Sequence, residues 1–124
     1  MNLPDSSLWI EYLLGNDIAS SVKSVIKDVG SLCVPSICLY EVYKKFLSTD
    51  GVSRADAALD IMQKANVVLL TPNIAVQAAL VGKRFGLPTA DSIIYATAQV
   101  HNAEIYTQDK HFEGLDGVHY FAKR

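Results

Sequence analysis

Short apolar runs alternate with longer stretches of helical periodicity along the chain. "MNLPD" reads as a very short strand ending at Asp5. "SLCVP" and "NVVLL" are continuous apolar runs, the pattern of strands covered on both faces. "AEIYT" reads as a fourth strand and "GVHYFA" as a fifth. Between these runs lie helical segments. "LWIEYLLG" is capped by Ser6 or Ser7 and stopped by Gly15. "DIASSVKSVIKDVG" is stopped by Gly30, and Pro35-Ser36 opens "ICLYEVYKKFLS". Ser53 with Asp56 one turn on is a capping-box-like start for "RADAALDIMQKA". Thr71-Pro72 supplies an N-cap and a proline at the first helical position of "NIAVQAALVGKRFG". The last helix runs through "ADSIIYATAQV".

Strands alternating with helices predict a parallel α/β sheet with helices on both faces. The 124 residues fit a single domain spanning 1–124, with no repeat and no linker. In such a sheet ligands gather outside the carboxyl ends of the strands. The residues just after each strand are therefore the ones that carry candidate chemistry.

Composition changes this picture little. Half of the residues are apolar and 19% are charged, a globular balance. No apolar run approaches the length that spans a bilayer and no signal peptide opens the chain, so a cytoplasmic protein away from membranes is expected. Cys33 and Cys38 read as small buried thiols, since His101, His111 and His119 have no metal-ligand spacing relative to them. The net charge of −2 speaks against a broad basic surface, though not against a local one.

The acids are the informative feature. Asp91 lies on the helical line of Ile94, Tyr95 and Ala98, so it points where the core should be. An unpaired polar group buried there costs roughly 2–7 kcal/mol, and a charge more. Asp5 follows the first strand and Asp109 the fourth, and Glu41 sits among Leu39, Tyr40, Val42 and Tyr43. Each has an ordinary reading: a cap for Asp5, the helix macrodipole for Asp91, an ion pair with Lys45 for Glu41, a turn for Asp109. Together they form a set of like charges at one end of a sheet, which raise one another's pKa unless a cation compensates. A hard divalent ion with oxygen ligands is the simplest compensator.

Four segments, "DSSLWIEYL", "VPSICLYEVYKKFL", "LPTADSIIYATA" and "IYTQDKHFEGL", occur in that order, each carrying one of these acids. In this the chain resembles PIN-domain nucleases, and especially the toxin component of VapBC-type toxin–antitoxin pairs. The likeness covers the whole chain. It implies a three-layer α/β/α sandwich around a mostly parallel sheet of four to five strands. It implies that Asp5, Glu41, Asp91 and Asp109 hold Mg²⁺ or Mn²⁺ or adjoin the ion, with Ser6 and Thr107 in support. It implies a metal-dependent endoribonuclease acting on RNA, a cognate antitoxin protein and a homodimer. The sequence departs from the family pattern at Pro4, where a residue such as Val is usual, and at His111, where a further acid is common.

On this reading bound ions lower the pKa of a water and neutralise the charge of in-line attack. Lys44, Lys45, Lys83, Arg84 and Lys110 are candidates for the RNA backbone. Trp9, Tyr40 and Tyr43 are candidate aromatic rim residues for a partner that inserts a basic side chain among the acids; ordinary core packing is their alternative. Two other functions compete. A catalytically inactive interaction module with the same fold would not need all four acids. A phosphoacceptor signalling domain would need an acceptor aspartate directly after a central strand, and "NVVLL" and "SLCVP" are followed by Thr71 and Ser36.

Overall fold

The computed structural model describes the whole chain, Met1–Arg124. Strand β1 (Asn2–Pro4) leads to helices α1 (Ser6–Leu13) and α2 (Ser20–Lys27). Strand β2 (Cys33–Pro35) leads to α3 (Ser36–Asp50) and α4 (Val52–Met62). Strand β3 (Asn66–Val68) leads to α5 (Pro72–Phe85) and α6 (Thr89–Val100). Strand β4 (Glu104–Thr107) passes through a single 3-10 turn, Lys110–Phe112, to β5 (Val118–Tyr120).

Every ladder is parallel: β1 pairs with β4, β4 with β5, and β2 with β3. A bridge between Asn2 and Leu32 joins the two groups, giving the order β3-β2-β1-β4-β5. The chain thus steps from β1 outwards through β2 to β3, then crosses back to β4 and on to β5. Neighbours β1 and β4 are where the winding reverses, the switch point at which open parallel sheets bind ligands.

Burial follows this order. Leu3, Val34 and Ile105 of the central strands are fully enclosed, packed with Leu8, Trp9, Val42, Phe46, Ile94 and Phe112. Helix α3 packs on α4 and α5 on α6, while α1 touches both α3 and β4. Residues "NVVLL" depart from the expected doubly covered strand. Only Asn66–Val68 are extended in the sheet, and Val67, Leu69 and Leu70 are exposed. The reason is position: β3 lies at the sheet edge, where one side has no neighbouring strand.

The helix signals are met unevenly. Thr71 Oγ1 accepts the Ile74 amide at 3.2 Å, with Pro72 beside it, as expected. Helix α5 ends at Gly86, whose φ of 68° suits glycine. Helix α1 is capped by Asp5 itself rather than by Ser6 or Ser7, and α2 is shorter than expected at both ends. Ser53 and Asp56 form no capping box; Gly51 precedes α4, and Asp56 accepts the Tyr43 hydroxyl at 2.8 Å.

Gly82 decides how closely α5 approaches α6. A Cβ there would stand 2.5 Å from Ser92 Oγ, which itself donates to Pro88 O at 2.9 Å. This close contact seats the first turn of α6, and with it Asp91. No helix is long and apolar enough to cross a membrane.

Candidate metal centre

Asp5 continues the β1 ladder past Pro4. Its amide donates to Tyr106 O at 3.0 Å. Amide directions alternate along a strand, so the donor that Pro4 lacks falls on the β2 side and removes no bond to β4. The departure at Pro4 therefore leaves the approach to the first acid intact.

The Asp5 carboxylate is buried and closely held. Oδ1 accepts from Ser7 Oγ at 2.6 Å and from the Leu8 amide at 3.2 Å, and Oδ2 accepts from Thr107 Oγ1. Thr107 Oγ1 in turn accepts the Asp109 amide at 2.8 Å. One hydroxyl thus spans the first and last acids, a wider role than support of Asp109 alone. Burial pushes the Asp5 pKa up to about 6; its three hydrogen bonds oppose the rise, and the Asp109 charge adds to it.

Asp91 enters from the first turn of α6 with its side chain only 13% exposed. Burial raises its pKa to about 7, the neighbouring Asp109 carboxylate adds to the rise, and His111 opposes it. Asp109 caps the 3-10 turn by accepting the His111 amide at 2.9 Å. That turn brings the His111 ring back over the acids. Its Nδ1 lies 3.0 Å from Asp91 Oδ2 and 2.9 Å from Asp109 Oδ1. The Asp109 charge, opposed by partial desolvation, raises the His111 pKa.

Donor atoms of Asp91, Asp109 and His111 all lie within 4.8 Å of one another. Asp5 stands outside that trio and joins it through Thr107. Glu41, on the second turn of α3, is further out; Ser6 Oγ donates to its Oε1 at 2.7 Å. Ser6 and Asp5 are neighbours at the head of α1, so this bond ties Glu41 to the same corner. Glu41 makes no ion pair with Lys45. Its neighbour Lys44 instead leans over Tyr40, 5.6 Å from the ring centroid.

The donor set suits a divalent cation: carboxylate oxygens in excess, with the pKa values of Asp5 and Asp91 raised by burial and further by the neighbouring Asp109 charge. Cys33 and Cys38 are free thiols, and neither belongs to that donor trio; Cys38 lies beneath the acidic corner beside Ser6, and burial holds its thiol well above the ordinary range, with the Asp5 and Glu41 charges adding to the rise. His111 is the residue sequence reasoning placed least well. The only signal was its spacing, two residues beyond an acid that follows a strand.

The fold and these residues define a parallel α/β protein with a cluster of acids at its switch point, where the side chains of Asp91, Asp109 and His111 could hold a cation. A family model described as "PIN domain" matches residues 3–118, and the chain belongs to that family. A search of curated proteins finds no match. Among solved structures, a toxin–antitoxin complex from Klebsiella pneumoniae superimposes with a TM-score of 0.80 at 22% identity, covering 99% of this chain and all (100%) of the other. DNA-bound VapBC from Salmonella typhimurium gives 0.76 at 15% identity, with 98% of each chain covered. A sarcin–ricin-loop-cleaving VapC toxin from Mycobacterium tuberculosis gives 0.70 at 18% identity, covering 92% of this chain and 95% of the other.

Raised carboxylate pKa values have a consequence for stability. Asp5 and Asp91 bind a proton more tightly folded than unfolded, so their contribution is greatest below the ordinary carboxylate pKa of about 4. It is lost as pH rises through about 6 and about 7. The raised His111 pKa acts in the same direction. Without divalent ions the protein should therefore be less stable at about pH 8 than at about pH 5, by roughly 1 kcal/mol from Asp5 alone. Urea unfolding in EDTA at the two pH values checks this. Equal or greater stability at the higher pH would contradict it.

Proposed function

We propose that this protein is a metal-dependent endoribonuclease, the toxin of a type II toxin–antitoxin pair. The observation that carries the reading is the meeting of Asp91 and Asp109 with His111 outside the carboxyl ends of β1 and β4, with Asp5 joined to them through Thr107 and no Lys or Arg paired to any of the three acids. Membership of the PIN-domain family and the likeness to toxin structures support it.

Asp91, Asp109 and Asp5, with Glu41 at the edge, would hold the divalent ion, Mg²⁺ or Mn²⁺. When bound, such an ion lowers the pKa of water and offsets negative charge at the phosphodiester. Thr107 holds the Asp5 carboxylate and the Asp109 backbone at one hydroxyl, and the His111 amide holds Asp109 Oδ1. Asp109 then either completes the donor set or takes the proton of the attacking water. Next to Glu41, the exposed face of α3 offers a depression of about 340 Å³ lined by Tyr40, Lys44, Lys45, Ser48 and Thr49. Tyr40 presents an exposed ring for a base and the lysines present charge for phosphates.

Asp5→Asn, Glu41→Gln and Asp91→Asn are each expected to lower ion-dependent RNA cleavage at least about 100-fold in a folded protein, and Asp109→Asn to cause a smaller, partial loss. Cleavage assays with circular dichroism as the folding control measure this. Full activity in any one variant removes that residue from the site, and no ion-dependent cleavage by the natural chain removes the reading.

An acidic pocket also suits a basic side chain from an antitoxin, placed among Asp5, Glu41 and Asp91. Of the three candidate rim aromatics, Trp9 is core and Tyr43 is tied to Asp56, which leaves Tyr40 exposed for such a partner. Antitoxin affinity should fall as Mg²⁺ is raised. An affinity indifferent both to Mg²⁺ and to Asp5→Asn would place inhibition elsewhere.

Self-association is supported by Val76 and Leu80, one turn apart and exposed on α5, next to exposed Leu69 and Leu70. Light scattering should give the mass of two chains, falling to one for Leu80→Glu. One chain's mass for the unaltered protein would contradict this.

A further inference from the structure

We propose that His111 is itself a metal ligand through Nδ1, and that it tilts this centre from Mg²⁺ towards Mn²⁺ and its transition-row neighbours. The proposal rests on the reading of the site as a divalent-cation centre.

The placement of the ring carries the argument. Asp109 Oδ1 accepts the His111 amide at 2.9 Å, which fixes the turn so that the side chain folds back over the carboxylates. Nδ1 then stands 3.0 Å from one carboxylate oxygen and 2.9 Å from another, on different elements, α6 and the turn after β4. Adjacent ligands of an octahedral ion with bonds of about 2.1 Å are separated by about 3 Å. Nδ1 is therefore at ligand spacing from both oxygens already. More than half of the side chain (58%) remains exposed, so the ring can tilt without disturbing the core. The ring's hydrogen bonds all run through Nδ1 to these two acids, and none holds it elsewhere.

The consequence for ion choice follows from donor type. An acid at this position would complete an all-oxygen set, the kind that suits Mg²⁺. An imidazole nitrogen is a borderline donor that transition-row ions bind better. His111 thus adds affinity for those ions and little for Mg²⁺. The rival account makes His111 only a hydrogen-bonding cation that neutralises Asp91 and Asp109 and withdraws when an ion arrives.

Pulsed electron paramagnetic resonance of the Mn²⁺-loaded protein separates the two. Ligation predicts nitrogen modulation of the Mn²⁺ echo, lost in His111→Asp. Calorimetric titration should show the ratio of Mn²⁺ to Mg²⁺ affinity falling about tenfold or more in that variant. Mn²⁺ bound without nitrogen modulation, or modulation that persists in His111→Asp, overturns the proposal and leaves the nuclease reading standing. Failure of Mn²⁺ to bind at all overturns both.

Discussion

The hydroxyl of Thr107 holds two distant parts of the chain at one point. It donates to the buried carboxylate of Asp5, 102 residues away in sequence, and accepts the amide of Asp109. The site depends on this bond, and the bond depends on the parallel pairing of β1 with β4. Were the register to slip by one residue, Thr107 would face the other side of the sheet and Asp5 would lose a donor. A carboxylate in that position without its donors would be a desolvated charge with nothing to hold it. Even with three donors, burial and the nearby Asp109 keep the Asp5 proton more tightly bound than usual.

Much of this was legible in the sequence because the signals were local. Thr71-Pro72 announces the start of α5, and Asp91 on the apolar line of its helix announces a buried acid. What escaped was set by neighbours in space. Residues "NVVLL" have the composition of a covered strand, and nothing in them says that they fall at the sheet edge. Trp9 lies close to Asp5 in sequence yet faces the core, because α1 turns that side inward. Ser6 reaches Glu41 across 35 residues, a pairing set by how α1 packs on α3. His111 read as a departure from an acid, whereas the turn after β4 returns its ring to a position between the carboxylates of Asp91 and Asp109.

The arrangement is costly to the protein by itself, and a cation bound among the acids would offset that cost. Burial, and after it the Asp109 charge, raises the pKa of Asp5 and Asp91, and the His111 imidazole between two carboxylates offsets part of that crowding. Natural sites carry such strain where binding relieves it. An ion or a basic side chain from a partner would act on the same charges, so catalysis and inhibition would compete for one position.

Thermal unfolding of the natural chain and of Asp91→Asn, each in EDTA and in Mg²⁺, tests this account most directly. The account predicts that the ion stabilises the natural chain, by about 2.7 kcal/mol at a hundredfold excess over Kd. It also predicts that Asp91→Asn is at least as stable as the natural chain in EDTA and gains little from the ion. A natural chain indifferent to divalent ions, or an Asp91→Asn protein that unfolds more readily in EDTA, would contradict it.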